Sequence, residues 1–306
     1  MIDAVNTHEV VVLGSANLDL IATLNEIPSP GETRVASGLE SRAGGKGLNQ
    51  AVAAARAGAS TALLAAVGTD DAADVLLGEA TATGIDTSLV RVVDGSSGSA
   101  WIMVRHDGEN AIVVHGAANT TLRSLNKAER DAVARSKVVV AQLETPLTAV
   151  AEAAALAREA GSRFVLNAAP AQTLPDELLS MVEVLVVNEH EARHLSGAAD
   201  PAQAAGVLLG ATGSVVVTLG ASGALVIDGS GSRRVDGVPA DVIDTTAAGD
   251  AFTGYLAASL AAGDSLDEAV ARAVVAGAIS VETIGAVPSI PTAEQVEHRV
   301  RAGRGR

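Results

Sequence analysis

No cysteine occurs anywhere in the 306 residues, which excludes disulfides, thiolate metal sites and cysteine nucleophiles. Aromatic residues are almost as scarce, at 1%: two Phe, one Tyr and one Trp. Without rows of rings there is little on which nucleic-acid bases could stack or a membrane belt could form. Positive charge is short as well. Lys and Arg number 21 against 36 Asp and Glu, a formal charge of −15. A field of that sign repels a phosphate backbone, so no nucleic-acid partner is expected. A small phosphorylated ligand would need local backbone donors, a metal or a placed lysine. No apolar stretch approaches the ~18 residues of a bilayer span. The opening "MIDAVNTHEV" has neither the basic nor the apolar region of a signal peptide. The expectation is a soluble, cytoplasmic protein with no membrane partner. The closing "HRVRAGRGR" reads as a solvated, frayed terminus.

What is present is an apolar fraction of 48%, built from Ala, Val, Leu and Ile, in a chain long enough for a sizeable core. Short β-branched runs alternate with Ala-rich stretches. "EVVVLGS" reads as a strand, "NQAVAAARAGA" as a helix closed by Gly58, and "TALLAAVG" as the next strand. The rhythm returns as "SKVVVAQL", "PLTAVAEAAALAREAG" and "RFVLNAAP", and again as "VEVLVVN", "EHEARHLSG" and "SVVVTLG". Such strands predict an α/β fold whose mostly parallel sheet is covered on both faces. Ligands then gather beyond the carboxyl ends of the strands, where Gly14, Asn167, Asn188 and Gly220 stand. Two stretches break the rhythm, about 17–42 and 97–116. The second is a hairpin pattern around "HDGEN", with His106 in its turn. Together they suggest a small sheet projecting from the body, either a lid or a plain decorative hairpin.

Three motifs carry chemistry. In "TAAGD" small residues open a long helix, so a phosphate can approach the free amides at its start. There Ala247, Ala248 and Gly249 would form an anion hole. Asp250 would take a proton from an attacking hydroxyl, although an Asp in a first helical turn is common without any function. In "RAGGKGLNQ", Gly44, Gly45 and Gly47 allow close approach to backbone, Lys46 adds a cation and Asn49 an amide. Its spacing fits neither a Walker loop nor a dinucleotide fingerprint. The third motif is His-Glu-x-x-His: His190, Glu191 and His194, followed by Asp200. It imitates a zinc-peptidase signature, but such ligands lie within an established helix, whereas here the motif straddles a strand-to-helix junction.

These segments resemble the ribokinase-type, or PfkB, family of carbohydrate kinases. The resemblance covers nearly the whole chain and includes "GGKGLNQAVAAARAGA" and "DTTAAGDAFTGYL". The pieces "PSPGET", "GENAIVVHGAAN", "QLETP", "NAAPA", "VNEHEA" and "TLGASGA" follow in order. It implies one three-layer α/β/α kinase domain over 1–306, with a discontinuous β lid. Asn17, Asp19, Gly45, Lys46, Asn49 and Glu144 would hold a sugar, and Ala100, Ile102 and Val114 would cover it. Asp250 would be the base, Asn188 and Glu191 would organise magnesium through water, and Thr218 and Gly220 would touch ATP. A monovalent cation, usually potassium, would use Asp244, Thr246, Ser280, Thr283, Gly285 and Ser289. Within the family, a sugar set with only Lys46 basic and few aromatics points to D-ribose phosphorylated at O5. Another neutral sugar or a nucleoside remains the alternative, and the zinc peptidase a more distant one. Trp101 alternates with Ala100 and Ile102, so it is expected to face away from the sugar, in a dimer interface between lids. His115 is expected to be structural.

Overall fold

Strands Val10–Leu13 and Val138–Ala141 are β-branched runs with every side chain buried. Their alternate residues serve two cores. Val10, Val12, Val138 and Val140 pack on one side of the sheet, Val11, Leu13, Val139 and Ala141 on the other. This two-sided burial makes the chain a three-layer α/β/α structure. The computed structural model describes residues 7–105 and 109–303. His106 lies outside the described residues, as do the first six residues and the last three.

The central sheet has eight strands, in the order Gly231–Val235, Ala224–Asp228, Ser214–Thr218, Val184–Asn188, Arg163–Asn167, Val138–Ala141, Val10–Leu13 and Thr61–Leu64. From Ser214–Thr218 to Thr61–Leu64 the pairing is parallel; the two strands at the other edge are antiparallel. Helices Lys46–Arg56, Ala248–Ala262 and Leu266–Ser280 cover one face, and helices Leu147–Ala160 and Pro201–Leu209 the other. Local signals stop these helices where glycine permits a left-handed turn, as at Gly161 (φ 76°) and Gly263 (φ 95°). Two boundaries differ from expectation. The helix expected from Asn49 begins at Lys46, because Gly45 turns the chain with φ 91° immediately before it. "TALLAAVG" is two strands, Thr61–Leu64 and Ala66–Val67, and the second leaves the main sheet to pair with Arg91–Val92.

A second sheet has four strands, ordered Gly38–Gly44, Asn17–Leu24, Gly98–Arg105 and Asn110–His115. Its central pair is parallel, so the two irregular stretches of the sequence meet along their length. In register, Asp19 stands beside Arg42 and Ala100, and Ala100 beside Val114. Trp101 stands between Leu20 and Val113, one residue out of phase and hence on the opposite face. Among the described residues no helix is long and apolar enough to cross a membrane.

Candidate active site

Helix Ala248–Ala262 starts without a side-chain cap, and Ala247 holds the N-cap position in the left-handed region at φ 60°. Its first-turn amides therefore lack a capping side chain, and among the described residues only that of Ala248 has a backbone partner, the Thr245 carbonyl at 3.3 Å. A cavity of about 210 Å³ is lined by Ala247, Ala248, Gly249 and Asp250, together with Lys46, Asn167, Asn188, Glu191 and Thr218. A larger groove of about 1080 Å³ lies by helix Ala293–Gly303, but none of the residues expected to be functional lines it.

Asp250 sits in the first turn, 6% exposed. Its Oδ2 accepts a hydrogen bond from Asn49 Nδ2 at 3.0 Å and its Oδ1 one from Gln50 Nε2 at 2.9 Å. Close helix packing brings these amides in. A Cβ added at Gly254, one turn beyond Asp250, would meet the Ala53 Cβ at 2.4 Å and the Gln50 carbonyl at 2.5 Å. Only glycine lets helix Lys46–Arg56 lie that near.

The first strand's end, the second sheet and Lys46 complete the site. Asn17 is buried, and its Oδ1 accepts from Asn119 Nδ2 at 2.8 Å. Glu144 accepts from the Ser15 hydroxyl and from the Lys46 amide at 3.2 Å. Asp19, half-buried, has its carboxyl pushed up to about 7, first by burial and then by the charges of Glu144 and Asp250. Lys46 is held above the usual lysine range, chiefly by Asp250 and further by Glu144 and Glu191, against the opposing effect of burial. Glycines make room for this cluster: a Cβ at Gly44 would stand 2.1 Å from Asp19 Oδ2. The Asn49 Oδ1 is buried with no hydrogen-bond partner.

Asn188 and Glu191 come together as expected, but as a capping box. Asn188 Oδ1 accepts from the Glu191 amide, and Glu191 Oε2 from the Asn188 amide, each at 2.8 Å. Burial raises Glu191 above the usual carboxylate range, against the Asn188 amide and the charge of Lys46. Its neighbours His190 and His194 are exposed while Glu191 is buried, so the His-Glu-x-x-His residues do not converge. Asp200 is spent capping the next helix, accepting from the Gln203 amide at 2.9 Å. Among the described residues no group of three His, Asp or Glu is placed to hold a metal, which removes the support for a zinc peptidase.

Of the nucleotide positions, Thr218 lines the cavity, whereas Gly220 is exposed in the turn beyond it. Asp244 ties two loops together: its Oδ1 accepts from the Thr246 amide (2.9 Å) and hydroxyl (2.6 Å), and its Oδ2 from the Gly285 amide (2.8 Å). Burial alone would raise Asp244, yet these bonds and Arg42 leave it below the usual range. Ser280 and Thr283 sit on the same segment as Gly285, joined by a backbone bond of 3.3 Å. The Ser289 hydroxyl is turned to the Ala286 carbonyl at 2.7 Å. In the lid, Ala100, Ile102 and Val114 share the face of Asp19, although Val114 is 52% exposed. His115 is exposed at the end of its strand.

Sequence reasoning missed Gln50, Gln142, Asn119 and Arg42. Gln50 follows Asn49 inside a motif already singled out. Gln142 and Asn119 are fully buried polar residues, bonded to Gln50 and Asn17 respectively. Arg42 stands opposite Asp19, and its guanidinium lies 2.2 Å from where a Gly285 Cβ would be.

Comparison with known proteins follows the same lines. The profile for "pfkB family carbohydrate kinase" matches residues 7–293. The chain is 39% identical over 292 residues to ribokinase of Haemophilus influenzae, covering 93% of this chain and 95% of the relative. It is 37% identical over 300 residues to ribokinase of Staphylococcus aureus, covering 95% and 99%. The structure of Arabidopsis thaliana ribokinase complexed with ribose and ATP superimposes with a TM-score of 0.91 at 29% identity, covering 97% of this chain and 99% of that one.

Proposed function

The chain belongs to the pfkB family of carbohydrate kinases, and on that premise we propose that it transfers the γ-phosphoryl group of ATP to O5 of D-ribose. The observation that carries the reading is one carboxylate, Asp250, placed where the uncapped helix start meets the polyol-binding cluster. A sugar presents hydroxyls, so its site needs paired acceptors and donors in place of a greasy pocket. Asp19, Glu144, Asn17 and Asn49 are those groups, and a sugar hydroxyl would satisfy the buried Asn49 Oδ1. The backbone of Gly45 would lie against the sugar. Ala100, Ile102 and Val114 would close over it and keep water out.

In the transfer step Asp250 accepts the proton of O5 as that oxygen attacks the γ-phosphorus. The bond from phosphorus to the bridging oxygen breaks, and ADP leaves. The amides of Ala247 to Asp250 stabilise charge on the phosphoryl oxygens. Lys46, held protonated by three carboxylates, adds positive charge on the sugar side. Thr218 and Gly220 would contact the nucleotide.

Magnesium would be carried by the ATP phosphates and met by Asn188 and Glu191 through water. There it would neutralise charge on the transferring group. A potassium ion would be held by Asp244, Thr246, Ser280, Thr283, Gly285 and Ser289. Asp244 already draws these two loops together, and the ion would place a positive charge behind the anion hole. The same proposal takes the chain as one kinase domain whose β lid spans about 17–42 and 97–116, located in the cytoplasm. It forms a homodimer through the outward lid face, where Trp101 is 58% exposed.

The deciding assay is ADP release with ATP and magnesium over a panel of neutral sugars and nucleosides, each with and without potassium. Turnover on ribose that falls by about 10²–10⁴-fold in Asp250→Asn is the expected result. Turnover on a hexose or nucleoside instead moves the substrate and keeps the mechanism. No turnover on any of them overturns the reading.

A further inference from the structure

We propose that Gln50 is a positioning residue for the base Asp250, and that Gln142 sets the direction in which the Gln50 amide points. The inference rests on the reading of Asp250 as the base. Gln50 is 0% exposed, so it touches no substrate and acts only through its neighbours. Its Nε2 donates to Asp250 Oδ1 at 2.9 Å and to Asn167 Oδ1 at 3.0 Å. Its Oε1 accepts from Gln142 Nε2 at 2.7 Å. Reversed, the Gln50 amide would set its oxygen against the carboxylate and its NH2 against the NH2 of Gln142. Both contacts would be repulsive, so the donors run one way, from Gln142 through Gln50 to Asp250.

The arrangement has a chemical consequence. The other Asp250 oxygen is held by Asn49 Nδ2 at 3.0 Å, so the two carboxylate oxygens are fixed from two directions by neutral amides. A base must present a lone pair to the attacking hydroxyl in one orientation, and a displacement near 1 Å costs about 10²-fold in rate. The two amides fix the direction of the carboxylate, which the neighbouring Lys46 charge alone, a point charge on a flexible stem, would not do. Asn49 also faces the sugar site, whereas Gln50 and Gln142 do not. The chain is rigidly backed. Gln142 Oε1 is buried without a partner and pressed against Gly14, where a Cβ would meet it at 2.0 Å. The Gln50 carbonyl lies under Gly254. Such packing leaves Gln50 little freedom to reach the carboxylate by another route.

The test is steady-state kinetics of the full chain with ATP, magnesium and ribose, alongside thermal melting. Gln50→Met keeps length and volume and removes the donor. It is expected to lower kcat by about 10–100-fold while the ribose KM stays within about 2-fold. Gln142→Met, which leaves Asp250 untouched, is expected to lower kcat less, by about 3–10-fold at an unchanged melting temperature. The double variant should match Gln50→Met alone, because Gln142 works only through Gln50. An unchanged kcat in Gln50→Met overturns the proposal. So does a loss in which melting temperature, kcat and KM all move together in both variants, since that marks a merely structural role. If Gln50→Met does not fold, Gln142→Met decides in the same terms. A wild type inactive on every sugar and nucleoside of the panel, or an Asp250→Asn variant that keeps its kcat, would defeat the functional reading itself. Active wild type and dead Asp250→Asn beside a fully active Gln50→Met would defeat only the inference about Gln50.

Discussion

The carboxyl of Asp19 is pushed up to about 7, by burial first and by Glu144 and Asp250 after it. In an unfolded chain the same group titrates at 3.8. Between those values the folded protein holds a proton that the unfolded chain has released. The stabilisation is therefore complete below pH 3.8 and is lost as pH rises through about 7. Above that, the ionised Asp19 is a cost to the ligand-free fold, and under the proposed function it is also the form that would accept two sugar hydroxyls. Asp19→Asn should thus separate the two roles. At pH 8 it should melt higher than wild type, and at pH 5 the difference should shrink. Its ribose KM should rise about tenfold or more, the scale of a lost charged hydrogen bond. Melting curves at both pH values and one KM measurement check this. A variant that melts lower than wild type at pH 8 would show that Asp19 is held by partners and not merely tolerated.

The junction between the lid strand Gly38–Gly44 and helix Lys46–Arg56 shows what an element boundary contributes. Gly45 turns the chain at φ 91°, and a Cβ there would stand 2.7 Å from the Asn17 amide. Gly45→Ala should therefore cost about 1–3 kcal/mol in urea unfolding, and by tilting the helix should raise the ribose KM. An unchanged unfolding midpoint would mean that the junction is slack. The alternation of strands and helices was legible in sequence, since glycine punctuates apolar runs that are buried on both faces, but this boundary was not: the helix starts at Lys46, three residues before the expected Asn49. The small-residue turn that opens helix Ala248–Ala262, with Asp250 in its first turn, was legible from its own composition. Less legible was the parallel pairing of Asn17–Leu24 with Gly98–Arg105, a contact between distant segments that leaves no local periodicity. The antiparallel edge, Ala224–Asp228 with Gly231–Val235, went unread although a glycine-bearing turn separates its strands. Asn188 and Glu191 carried a signal read only in part, because Asn-x-x-Glu is itself the pattern of a capping box. Gln50 and Gln142 carried none: the meaning of Gln50 comes from the closeness of two helices at Gly254, and that of Gln142 from a strand end that meets Gln50 across 92 residues of chain, which no single segment encodes.

At the scale of the whole molecule, two copies must overcome their own charge to associate. Each carries a formal −15, so the general field opposes a dimer and only local apolar contact favours one. The outward lid face offers that contact. Leu20, Trp101 and Val113 lie side by side across three strands, and Leu39, on the same face, is 75% exposed. Rows of this kind on a sheet face are where partners bury area. Because the lid also carries Asp19 and Ala100 on its inner face, association would stiffen the cover of the sugar site. The proposed dimer should therefore tighten as ionic strength rises, since salt screens the repulsion and leaves the apolar contact in place. Trp101→Glu should be monomeric in sedimentation equilibrium at concentrations where wild type is dimeric, and its ribose KM should rise while ATP binding changes little. The salt series should use tetramethylammonium chloride, so that no potassium, the proposed activator, is added. A wild type that remains monomeric at every salt concentration, or a Trp101→Glu variant that dimerises as well as wild type, would remove the lid face as the interface.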